Sequence, residues 1–193
     1  RESVVLWDPR TGEPLHNAVV WQCRRSAAIC ERLKKQGLAA KFTGRTGLLL
    51  DPYFSGTKLA WLFENVPALK NKAKTGNLKT GTIDSYLVFR LTGGASHVTD
   101  AGNASRTLLF DINKLAWDGE LAGILGVPLS ILPGVRGNSE IYGRTKGLKC
   151  LPDGIPVSGM AGDQQAALFG QACFNKGDAK CTYGTGSFIL MNT

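Results

Sequence analysis

The chain has 193 residues, 43% of them hydrophobic and 20% charged, which suits a globular domain or a slice of one and excludes disordered, collagenous and low-complexity classes. The net charge is +8, but the basic residues are scattered. They cluster only at Arg24-Arg25, Lys34-Lys35 and Lys70–Lys74 without interleaved aromatics, so neither nucleic acid nor a membrane is the expected partner.

The five cysteines (Cys23, Cys30, Cys150, Cys173, Cys181) include no CxxC pair, which argues against a metal centre or a disulfide scaffold. No apolar run approaches the roughly 18 residues of a membrane helix. The chain opens at Arg1 almost directly into a strand pattern and closes just after another. It is therefore expected to be a piece of a longer protein.

In chain order, Val4-Val5-Leu6-Trp7, the turn Asp8-Pro9-Arg10-Thr11-Gly12 and Ala18-Val19-Val20-Trp21 predict a hairpin. A helix is expected from Arg24 to Gln36, with Ile29 and Leu33 on one face and Gly37 at its end. Residues 41–80 read as mostly helical, with Leu59, Leu62 and Phe63 on the inner side and Pro67 marking a restart. Asp84 is the expected cap of a helix running through Leu91. Another helix is expected from about Trp117 to Leu125.

Beyond residue 155, residues 155–160 read as a buried strand. Gly162-Asp163 reads as a tight turn and residues 164–170 as an Ala-rich helix. Two strands, 179–183 and 187–191, flank Gly184-Thr185-Gly186. The layout is mixed α/β with hairpins, unlike strict strand–helix alternation.

Three places suggest chemistry. In Gly159-Met160-Ala161-Gly162-Asp163-Gln164-Gln165, small residues surround a carboxylate at a strand-to-helix turn, where backbone N–H groups and the helix dipole face a ligand. Asp163 there can take a hydroxyl proton or hold a hydrated magnesium ion, or it can simply cap the helix. Tyr183-Gly184-Thr185-Gly186 can turn backbone donors toward an anion or merely close a hairpin. Arg1-Glu2 can donate to and accept from neighbouring hydroxyls or form a solvated edge. Trp21 and Tyr53 can pack in a core or serve as ligand platforms.

Taken together and in order, several strings resemble one family. They are Arg1-Glu2, Val20-Trp21-Gln22-Cys23-Arg24-Arg25, Asp51-Pro52-Tyr53-Phe54-Ser55-Gly56-Thr57-Lys58, Asn103-Ala104-Ser105-Arg106-Thr107, Gly162-Asp163-Gln164-Gln165-Ala166-Ala167 and Tyr183-Gly184-Thr185-Gly186. The chain is similar, over essentially its whole length, to the glycerol kinases of the FGGY carbohydrate-kinase family. The resemblance implies a ribonuclease-H-like, actin- and hexokinase-type α/β fold. Residues 1–193 would be part of its first lobe, the N-terminal domain, without the first phosphate loop or the C-terminal domain.

It further implies ATP-dependent, magnesium-assisted conversion of glycerol to glycerol 3-phosphate by a cytoplasmic homo-oligomer. Arg1, Glu2, Tyr53, Asp163 and Gln164 match the residues that hydrogen-bond glycerol, and Trp21 and Phe188 match the aromatics on its carbons. Asp163 matches the general base, and Gly184 and Thr185 match the phosphate loop that meets ATP. These 193 residues alone are expected to be inactive. Ser187 replaces a common Cys, and residues 146–154 lack the loop that some bacterial members use for sugar-bisphosphate inhibition. Two alternatives remain open at this point: an FGGY kinase for a ketose or aldonate, and a non-catalytic actin-like paralogue.

Overall fold

A computed structural model describes residues 1–184 and 186–193. They form two compact units, Arg1–Met160 and Ala161–Thr193.

In the first unit, β1 (Val4–Trp7) is buried at all four positions, as an unbroken apolar run requires. Its ladder partner is β2 (Lys79–Thr82), antiparallel, with Val4 opposite Thr82 and Trp7 opposite Lys79. The expected opening hairpin is therefore only partial. The turn closes, with Gly12 N donating to Asp8 O at 2.8 Å, but the returning chain contributes isolated bridges at Pro14 and Val19. β2 was not expected; it pairs with one edge of β1, while the returning chain bridges the other edge at Val4 and Trp7.

Four helices follow the opening: α1 (Ala27–Lys35), α2 (Ala39–Thr46), α3 (Ser55–Asn65) and α4 (Pro67–Lys74). Pro67 opens α4, where its missing N–H costs nothing. Ile29 and Leu33 of α1 and Leu59, Leu62 and Phe63 of α3 are buried together with Val4, Leu6, Phe42 and Leu109. Each such side chain contributes about 1.5–3 kcal/mol of burial.

α5 (Ile83–Leu91) begins after Thr82, not at a capping Asp84. The Asp84 carboxylate lies in the first turn and accepts from Thr82 and, at 2.7 Å, from Thr99 Oγ1. β3 (Val98–Asp100) leads into α6 (Ala101–Ala104), whose cap is Asp100. β4 (Phe110–Asp111) pairs antiparallel with β5 (Ala116–Trp117), and Asp118 caps α7 (Gly119–Ile124). β3 then pairs in parallel with β6 (Gly134–Arg136). β7 (Ser139–Arg144) pairs antiparallel with β8 (Pro156–Gly159), which is largely exposed rather than buried.

The second unit holds α8 (Asp163–Gly170) and the antiparallel hairpin of β9 (Ala179–Tyr183) and β10 (Ser187–Met191), all at the expected positions.

Candidate functional site

In the first unit the site is built on Glu2, the residue two before β1. Glu2 is 2% exposed, and a buried carboxylate needs a partner. Arg106, just past α6, supplies it: Arg106 Nε donates to Glu2 Oε1 at 2.8 Å. The Arg106 guanidinium also lies over the Phe54 ring, 5.0 Å from its centroid. The Glu2 backbone oxygen accepts from Ser55 Oγ at 3.0 Å. Glu2 is thus fixed at its main chain by the first residue of α3 and at its side chain by a residue just past α6.

Tyr53 enters from the turn before α3. Asp51 Oδ1 accepts from the Tyr53 N–H at 2.8 Å, an Asx turn that presents the ring at the helix start. Burial raises the phenol pKa above its ordinary value, and the neighbouring Glu2 carboxylate raises it further. Tyr53 therefore stays protonated and able to donate. Trp21 packs edge-on against it, with ring centroids 5.7 Å apart and planes at 69°. The Trp21 backbone N–H donates to Ser3 Oγ at 3.1 Å. Arg1 is half-buried beside Glu2 in the sequence.

Two residues of this cluster were quoted within motifs but not assigned a role: Arg106 and Lys58. Lys58 is fully buried on α3 and donates from Nζ to the Tyr53 carbonyl oxygen. Burial lowers its pKa to about 8, against the pull of Glu2. A charged residue in the middle of Ser55-Gly56-Thr57-Lys58-Leu59-Ala60, otherwise small or apolar, is the signal that could have marked it. The first unit thus offers a fixed carboxylate, a phenol donor and an aromatic wall, the mixture that an uncharged polyol requires.

In the second unit, Asp163 is the first residue of α8 and is exposed, while Gly162 occupies the cap position. Simple N-capping therefore does not account for Asp163. Its carboxylate sits where the helix dipole favours negative charge. Gln164 beside it is buried, and its side-chain oxygen accepts from Lys180 Nζ. Phe188 is half-buried on β10, in register with Thr182. A Cβ on Gly186 would come within 3.1 Å of the Phe188 ring, so glycine is what lets the turn close over it. Gly184 N donates to Gly186 O at 3.1 Å. Thr185, the other expected phosphate contact, lies outside the described residues.

Among the described residues, no group of three or more His, Cys, Asp or Glu side chains is placed to hold a metal ion. None of the described helices is long and apolar enough to cross a membrane.

Residues 1–170 match the N-terminal domain of the FGGY family of carbohydrate kinases. A curated glycerol kinase from Myxococcus xanthus is 58% identical over all 193 residues, and the chain spans 39% of that relative's length. The crystal structure of Plasmodium falciparum glycerol kinase with ADP superposes with a TM-score of 0.94 at 41% identity, over 99% of this chain and 38% of that one. That of gluconate kinase from Lactobacillus acidophilus gives 0.85 at 25% identity, over 97% and 37%. The fold is the actin-like α/β fold of these kinases, and the chain belongs to the FGGY family of carbohydrate kinases.

Proposed function

We propose that the protein carrying this chain transfers the γ-phosphoryl group of ATP to glycerol, giving glycerol 3-phosphate, and that residues 1–193 form part of its N-terminal domain. The observation that carries this reading is the 58% identity to a glycerol kinase over an alignment that covers all 193 residues, against 25% to a solved gluconate kinase. The geometry supports it. In the first unit Glu2 accepts and Tyr53 donates to polyol hydroxyls, with Arg1 and Trp21 adding a polar and an aromatic contact; the resemblance to glycerol kinases also assigns Gln164 a polar contact and Phe188 a place against the carbon chain.

Asp163 is the general base. A primary alcohol attacks phosphorus poorly until a positioned carboxylate takes its proton, and an exposed aspartate at a helix start is open to that hydroxyl. Gly184 and Thr185 meet the nucleotide phosphates. The donor chemistry also suits magnesium, which takes hard oxygen ligands from one or two carboxylates together with substrate phosphates and water. Asp163 would supply such an oxygen, and the ion would neutralise charge on the transferring group. The same reading makes the enzyme a cytoplasmic homo-oligomer with no nucleic-acid or membrane partner.

The test is Asp163→Asn in the full-length protein. Turnover with glycerol is expected to fall by about 10²–10⁴-fold, the usual share of a general base, while calorimetry still detects glycerol binding. Near-normal turnover would remove Asp163 from the role of base.

A further inference from the structure

Lys180 is not among the residues assigned to the polyol or the nucleotide. It lies on β9 at 7% exposure and donates from Nζ to Gln164 Oε1 and, at 2.6 Å, to Thr182 Oγ1. A lysine ammonium has three donors and no acceptor. The end of the Gln164 amide that faces it must therefore be the oxygen, which leaves the NH₂ group pointing elsewhere. Among the described residues no hydrogen bond satisfies Gln164 Nε2. Nor is it one of their enclosed, unpartnered side-chain polar atoms, which are Trp7 Nε1 and Ser85 Oγ, so the amide nitrogen reaches the surface of a residue that is itself 8% exposed.

We infer that Lys180 is a positioning residue that locks Gln164 as a hydrogen-bond donor toward the substrate. This rests on the reading of Gln164 as a polyol contact. A free glutamine amide rotates and can meet a hydroxyl either as donor or as acceptor. With its oxygen occupied, Gln164 recognises only a lone pair. The hydroxyl it contacts must then give its own proton to an acceptor such as a carboxylate. Gln164 and the neighbouring Asp163 thereby form a polarised pair, one donating and one accepting, and a hydroxyl oxygen satisfies both at once.

The test uses the full-length protein and four variants: Gln164→Glu, Lys180→Met, Gln164→Leu and the double variant of the last two. Gln164→Glu keeps a partner for Lys180 and hence the fold, but replaces the donor with an acceptor. Its KM for glycerol is expected to rise at least about tenfold, with an unchanged or higher thermal midpoint. Lys180→Met frees the amide, and KM is expected to rise about five- to tenfold, the size of one hydrogen bond. Lys180→Met made on a Gln164→Leu background is expected to add nothing further, because the two residues act as one unit.

A Gln164→Glu enzyme that takes glycerol as well as the parent does would overturn the donor assignment. Full additivity of Lys180→Met with Gln164→Leu would overturn the positioning role. If Gln164→Leu alone leaves KM unchanged, Gln164 is not a polyol contact, and the reading on which the inference rests fails with it.

Discussion

Arg106 is the residue whose removal should be felt most sharply in the first unit. Arg106→Gln strips the guanidinium from a carboxylate that is 2% exposed and fixed by a 2.8 Å charged hydrogen bond. Breaking a fully buried pair from one side costs about 3–5 kcal/mol. The Arg106 side chain is itself a quarter exposed, so water screens part of the loss. About 2–3 kcal/mol, near the value of one charged hydrogen bond, is the expected cost. The cation stacked on Phe54 goes with it.

The assay is thermal unfolding of the full-length protein, together with its KM for glycerol. The midpoint should drop by several degrees, and KM should rise by more than about tenfold as Glu2 loses its fixed orientation. The double variant Glu2→Gln with Arg106→Gln should recover most of the midpoint, because no buried charge is then left unpaired. It should not recover KM, because the carboxylate is gone. A midpoint within a degree of the parent and an unchanged KM in Arg106→Gln would refute the idea that this pair organises the site.

Two further outcomes follow from the packing. Gly56→Ala would normally strengthen a helix by about 1 kcal/mol, yet its Cβ would lie 2.5 Å from the Thr107 backbone oxygen and 2.9 Å from Leu125 Cδ1. A net loss of about 1–2 kcal/mol is expected from the overpacking, seen as a lower thermal midpoint; an unchanged or raised midpoint would contradict the close approach. His97 offers a pH test. Its Nε2–H donates to Thr80 O at 2.9 Å, and Nδ1 accepts from Lys79 Nζ at 3.1 Å. Burial pulls its pKa down to about 4. Between about pH 6.5 and 4 the unfolded chain therefore binds the proton that the folded one refuses, and stability falls with pH across that window by up to about 3 kcal/mol. A His97→Gln variant should lose less stability over the same range, and parallel acid profiles would contradict this.

Elements set by local pattern were legible in the sequence. Ile29 and Leu33 marked the inner face of α1, Pro67 marked the start of α4, and the alternation around Gly184 and Gly186 marked the final hairpin. β2 was not legible. Lys79-Thr80-Gly81-Thr82 is polar and contains a glycine, and it becomes a strand only because β1, some 75 residues earlier, needs a partner. Thr80 is fully buried there only because its hydroxyl donates to Val5 O at 2.8 Å. The exposed β8 was misjudged for a related reason, since an apolar run reports what a strand could bury and not what covers it.

The site divides along the same line. Arg1, Glu2, Trp21 and Tyr53 came from the resemblance to glycerol kinases, and the structure places Trp21 against Tyr53 and Tyr53 beside Glu2. Arg106 escaped because its role is tertiary: it lies 104 residues from Glu2, and no local spacing joins them. Lys58 escaped because a lysine near a helix start reads as a solvated charge until its burial is seen. Lys180, on a short hairpin strand, escaped for the same reason.

The central claim is the choice of glycerol as acceptor. ADP release by the full-length protein, measured with glycerol, xylulose and gluconate in turn beside an Asp163→Asn control, tests it directly. Release with glycerol alone, lost in the control, is the expected result. Faster release with xylulose or gluconate, or no release with any of the three, would contradict it.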